Sequence, residues 1–132
     1  MIHPTSADLL KGVEAALRET VLPELARGTA ARKQMQAALE ILRHLAHALP
    51  AEAATLAADN TDMAEVLASA GVAVPVNDDP GAHNLALQHA VTDLQNAQRA
   101  EITPLLIALH RRMTDRAVAL IPPSAPRPAK KP

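Results

Sequence analysis

"MQAALEILRHLAHAL", residues 35–49, is the stretch that decides the fold. Met35, Ala38, Leu39, Leu42, Leu45, Ala46 and Leu49 recur at three- and four-residue intervals, which places them along one side of an α-helix. On a wheel of about 100° per residue this stripe centres near Leu42. Glu40, His44 and His47 fall on the opposite, polar side and share a face with one another. A carboxylate and two imidazoles on one face are potential metal ligands, because His at i and i+3 can reach one ion; a stable site needs further ligands and support behind them. The simpler expectation is a hydrated helix back on which Glu40 and His44 pair at i,i+4, worth a few tenths of a kcal/mol.

Reading outward, Gly28 and Thr29 mark the start of this helix and Pro50 is expected to stop it near Ala48. Upstream, Thr5 is placed to cap a first helix carrying Leu9, Leu10, Val13, Ala16, Leu17 and Val21, with Pro23 ending it or opening a short turn. Downstream, a segment from Ala51 carries Leu56, Met63, Val66, Leu67 and Ala70; it would turn Asn60 toward the core, so a break at Asp59-Asn60 with Thr61 recapping is expected, and Gly71 closes the C-terminus. Asp79-Pro80 and Thr103-Pro104 are each a cap followed by a proline at the first helical position. The helices they open carry Leu87, Ala90, Val91, Leu94 and Ala97, and then Leu106, Leu109, Met113, Ala117 and Leu120. "PPSAPRPAKKP" at the end reads as a disordered, polyproline-like tail over 122–132. Residues 1–121 thus form one all-α domain, a single helical bundle of four to five helices.

Composition agrees. Ala and Leu make up more than a third of the 132 residues, and Phe, Tyr, Trp and Cys are all absent. Leucine, valine, isoleucine and methionine packed against alanine must form the core, and a chain of this length buries roughly 68% of its unfolded surface without a metal or disulfide staple. The missing cysteine removes thiol nucleophiles and thiolate metal sites. A net charge of −1 and the lack of stacking rings argue against nucleic-acid binding. No segment has the length and apolarity of a membrane span or signal peptide, so a soluble, cytoplasmic protein is expected.

Catalytic patterns are scarce. No Asp or Glu is followed three residues later by His, as the di-iron bundles require, and no His-Glu-x-x-His, phosphate loop, Gly-x-Ser-x-Gly or EF-hand loop occurs. "ARGTAARK" sets Arg27, Thr29, Arg32 and Lys33 around a helix N-terminus, an arrangement suited to an anion. "NDDPGAH" offers Asn77, Asp78, Asp79 and His83, although Asp79 is better explained as a cap. His110 lies at the edge of the last apolar stripe and is expected to be partly buried, while His89 and Arg111, Arg112 and Arg116 read as surface.

"HPTSADLLKGVEAALRETVLPEL", "ALEILRHL" and "PLLIALHRRMTDRAVALIPP" together resemble a bacterial family of small helical proteins of unknown function, encoded beside acyl-CoA dehydrogenases and aminoglycoside-phosphotransferase-like kinases. The resemblance spans about half the chain and implies a metabolic neighbourhood; it carries over no site residue. The chain departs from that family in having Ala-rich sequence where an Asn belongs in the second helix, "TAARK" where aromatic residues belong, and Ile121-Pro122 in place of an Asn-Pro.

The leading expectation is a non-catalytic accessory or protein-interaction bundle needing no cofactor. It is expected to act with an acyl-CoA-related or kinase-like partner enzyme, and to form a homodimer through Leu105, Ile107 and Ile121. A small-ligand or anion-binding bundle with its site at Arg27, Thr29, Arg32 and Lys33 is the alternative. A metal-dependent enzyme using Glu40, His44 and His47 is the third.

Overall fold

The computed structural model describes residues 3–124, and among these the protein is all-α, a helical bundle. Helix α1 is Ser6–Ala16, α2 is Ala30–Ser69, α3 is Pro80–Asn96 and α4 is Thr103–Ala119; a π-helical turn, Leu17–Val21, and a 3₁₀ turn, Leu22–Glu24, follow α1. Where the sequence suggests one body, the contacts divide the described chain into two compact units, residues 3–50 with 120–124, and Ala51–Ala119.

In the first unit, Thr5 starts α1 by a capping box: its hydroxyl accepts the Asp8 amide at 3.2 Å while the Asp8 carboxylate accepts the Thr5 amide at 3.1 Å. Those hydrogen bonds, first from the Thr5 side chain and then from its backbone, hold the Asp8 carboxyl below the usual range. Thr29 starts α2, its hydroxyl accepting the Arg32 amide at 3.3 Å. Leu39 and Ala46 are the buried apolar positions of this part of α2, and Ala7 is buried on α1. The stripe read from the sequence is therefore narrowed and turned. Leu45 lies roughly 100° and Ile41 roughly 140–160° from the Leu39–Ala46 face, and both are exposed. Pro122 is buried and the Pro123 carbonyl accepts a hydrogen bond from Arg43 Nη1 at 3.1 Å, so packed chain continues beyond Ile121. The rest of the expected tail, 125–132, lies outside the described residues.

The expected stop at Pro50 and break at Asp59-Asn60 do not occur: α2 runs through both for 40 residues. Proline withholds one amide and so deprives the Ala46 carbonyl of its i+4 donor, but the following "AEAATLAA" consists mainly of strong helix formers that carry the helix on. Asn60 is buried, as the periodicity requires, and its amide is satisfied rather than expelled. Its Nδ2 donates to the Pro80 carbonyl at 3.1 Å and its Oδ1 accepts from Asn84 Nδ2 at 2.7 Å. Thr61, expected to recap, instead donates its hydroxyl to the Ala57 carbonyl at 3.0 Å.

In the second unit one core gathers Met63, Val66, Leu67 and Ala70 of α2, Leu87, Val91 and Leu94 of α3, and Ile102, Leu106 and Leu109 at and on α4. The α2 C-terminus is a Schellman motif. Val72 N–H reaches the Leu67 carbonyl at 2.9 Å, Gly71 N–H reaches Ala68 at 3.0 Å, and Gly71 has φ +70. Arg99 Nη1 donates to the Ala70 carbonyl at 2.9 Å. Asp79 caps α3 through the Ala82 amide at 2.7 Å, with Pro80 at the first position. Thr103 does not cap α4 as expected; the turn at Arg99–Ile102 already supplies helical bonds, so α4 begins at Thr103 and its hydroxyl points back to the Arg99 carbonyl at 3.5 Å.

Two glycine replacements should have opposite signs. A Cβ at Gly12, inside α1, or at Gly71 meets nothing within 4 Å, so backbone conformation alone decides. Gly12→Ala should stabilise by about 0.5–1 kcal/mol through helix propensity. Gly71→Ala should destabilise by about 1 kcal/mol through the left-handed φ. Thermal melts followed by far-ultraviolet circular dichroism check both.

Candidate functional site

Glu40, His44 and His47 do share an exposed face of α2, as the wheel requires. Among the described residues no group of three or more His, Cys, Asp or Glu side chains is placed to hold an ion. Glu40 is committed elsewhere. Its Oε2 accepts from Arg43 Nε at 3.1 Å and lies 2.9 Å from Arg43 Nη2, so the expected i,i+4 pair with His44 is replaced by an i,i+3 ion pair. A guanidinium fork offers the carboxylate more donors than an imidazole does.

Of Arg27, Thr29, Arg32 and Lys33, the chain itself engages the side chains of Thr29 and Arg32. Thr29 donates its hydroxyl to the Ala26 carbonyl at 2.7 Å while capping α2. Arg32 turns back, and its Nη1 donates to the carbonyls of Leu22 at 2.7 Å and Leu25 at 2.8 Å, sealing the 3₁₀ turn. Arg27 and Lys33 are exposed. Of "NDDPGAH", Asp79 is the α3 cap, and Asn77 Oδ1 accepts the Asp79 amide at 2.9 Å. His83 keeps a buried Nε2 without a hydrogen-bond partner among the described residues. His110, expected to be partly buried, is exposed; Ile102, Leu106, Leu109 and Met113 set the core-facing side of α4 and leave position 110 beyond its edge.

The arginines of α4 are less peripheral than their sequence context suggests. Arg116 Nε lies 2.6 Å from Asp59 Oδ1 and its Nη2 2.5 Å from Asp62 Oδ2, while Arg112 Nε reaches the same Asp62 oxygen at 3.0 Å. Burial alone would push the Asp62 carboxyl up, but hydrogen bonds from Arg116 and Arg112 outweigh it and hold the group below the ordinary carboxylate range. The Arg116 guanidinium is correspondingly raised, chiefly by its hydrogen bond to Asp62. Two arginines balance two aspartates, an arrangement that ties α2 to α4 within the second unit.

What the site residues do not consume is apolar surface. Ile41, Leu45 and Leu49, at i, i+4 and i+8 of α2, are 60%, 47% and 37% exposed, and Leu9 and Val13 of α1 are 57% and 50% exposed. The sequence placed Leu45 and Leu49 in the core stripe and so missed this row. The expected α4 dimer face is less coherent. Leu105 and Ile107 are both exposed, but two residues apart they lie roughly 200° from each other around the helix, and Ile121 lies beyond its end.

Among the described residues, no helix is long and apolar enough to cross a membrane. Comparisons with protein-family models, with curated proteins and with solved structures return no match.

Proposed function

We propose that the protein is a non-catalytic interaction module, acting in the cytoplasm as a homodimer and, through it, as an accessory to a metabolic enzyme. The Ile41–Leu45–Leu49 row carries this reading. A row of large aliphatic side chains left open on a helix is the surface that another helix covers. The first unit has particular need of such cover, since among the described residues Ala7, Leu39, Ala46 and Pro122 are its buried apolar residues whereas ten buried side chains form the core of the second. A second copy supplies an identical apolar row for a two-fold interface. The family resemblance indicates which enzymes to test as further partners, an acyl-CoA dehydrogenase or a phosphotransferase-like kinase.

Light scattering at tens of micromolar should give the mass of a dimer. Leu45→Glu should give a monomer with unchanged circular dichroism, because the side chain it replaces is already half-exposed. A wild-type monomer at that concentration, or a Leu45→Glu dimer, would overturn the reading.

A further inference from the structure

Within the first unit, a cavity of about 380 Å³ lies among α1, α2 and the segment after α4. Buried Ala46 and Pro122 contribute apolar wall, and Lys11, Glu14, Arg43 and His47 bring polar groups to it. Its volume falls within the range of small-ligand pockets and equals roughly a dozen water-sized volumes at ~30 Å³ each. We propose that this cavity binds a small aliphatic carboxylate, with its charged end between Lys11 and Arg43 and its chain against Ala46 and Pro122.

The charge inventory selects the sign. Glu14 is already neutralised, since its Oε1 accepts from Arg18 Nε at 2.8 Å. Lys11 stands exposed with no close ion pair among the described residues; its ammonium interacts at longer range with the Asp8 carboxylate, which is hydrogen-bonded to Thr5 and does not line the cavity, so Lys11 keeps its donors for a ligand there. Arg43 is held in place rather than exhausted. It uses Nε and Nη2 on Glu40 and one Nη1 hydrogen on the Pro123 carbonyl, so two of the five N–H groups of a guanidinium remain. A carboxylate fits a guanidinium with two spare donors beside an ammonium. An aliphatic chain fits the apolar wall, where inorganic phosphate would leave Ala46 and Pro122 uncontacted. This ligand site is independent of the row at Ile41, Leu45 and Leu49.

The test is a ¹H–¹⁵N NMR titration of the whole protein with sodium hexanoate at constant ionic strength, with hexylamine and sodium phosphate as comparisons. Hexanoate should give saturable shifts at Lys11, Glu14, Ala46 and His47, and neither comparison should reproduce them. Lys11→Met, at an exposed position with no hydrogen-bonded ion pair among the described residues, should weaken binding about tenfold with the fold intact, and Arg43→Gln should do so by at least as much. The proposal is overturned if hexanoate gives no saturable shift, if its shifts fall instead at Ile41, Leu45 and Leu49, if hexylamine or phosphate binds equally well, or if Lys11→Met binds as the wild type does.

Discussion

Replacing Leu67 by alanine is expected to destabilise the protein by about 3 kcal/mol. Leu67 has no exposed surface, and it packs in the cluster that includes Leu87, Val91 and Leu109. Leucine to alanine removes three carbon atoms, a transfer loss of roughly 2.4 kcal/mol at ~0.8 kcal/mol each, and the unfilled volume adds to it. Relaxation should be limited here. With no aromatic side chain anywhere in the 132 residues, no large ring can rotate into the gap, and apart from Met63 and Ala70 the buried neighbours are branched aliphatics already packed in place. Urea unfolding followed by far-ultraviolet circular dichroism gives the difference, with Leu45→Ala as the reference. Leu45 is 47% exposed, and its truncation should change stability by less than about 0.5–1 kcal/mol in the monomeric range. Equal losses for the two variants would mean that Leu67 is not at the centre of a packed core.

The contrast between Leu67 and Leu45 also shows how far the sequence could be read. Both sit in apolar stripes of α2 and look alike on a helical wheel. The second unit supplies two further helices for Leu67 to meet, whereas the first supplies the 11-residue α1, two short turns and a few residues after α4, too little to cover a wide stripe. Periodicity reports which residues could be buried; the amount of neighbouring surface decides which are. Signals confined to a few residues were legible for the same reason in reverse: the Thr5–Asp8 box, the Asp79-Pro80 start and the Gly71 close each depend on groups within five residues. Asn60 was illegible as a helix interior because its partners, the Pro80 carbonyl and the Asn84 side chain, stand 20 and 24 residues away. Of the candidate sites, the chemistry of each residue was readable but its commitments were not. Nothing in the spacing of Glu40 and Arg32 says that Arg43 will take the one and that two turn carbonyls will take the other. Lys11, Glu14 and Arg43 form no motif at all, and only the packing of α1 beside α2 within the first unit brings them to one cavity.

Removing the charge of Arg116 should give the second large effect, about 2 kcal/mol at neutral pH for Arg116→Met, and it should depend on pH with a definite sign. The side chains of Arg116, Asp59 and Asp62 are 25%, 17% and 17% exposed, so their interactions are less screened than those of a surface pair. Methionine keeps much of the apolar stem of arginine while leaving Asp59 without this partner and Asp62 with Arg112 alone. The Asp62 carboxyl is held below its ordinary value of 3.8 in the folded protein, so its ionised form favours folding: the contribution is fully present above that ordinary value and is lost as pH falls through the lower folded value. In Arg116→Met the folded value moves back up and less of that contribution exists to lose. The stability gap between wild type and variant should therefore be constant from neutral pH down to about 5 and should shrink as pH falls through about 4 toward 3. Arg112→Met, whose side chain is 45% exposed and reaches Asp62 alone, should show the same pH trend at less than about half the size. Urea midpoints measured across that pH series decide the matter. A gap that stays constant to acid pH would assign the Arg116 effect to lost packing of its stem rather than to the two carboxylates it bridges.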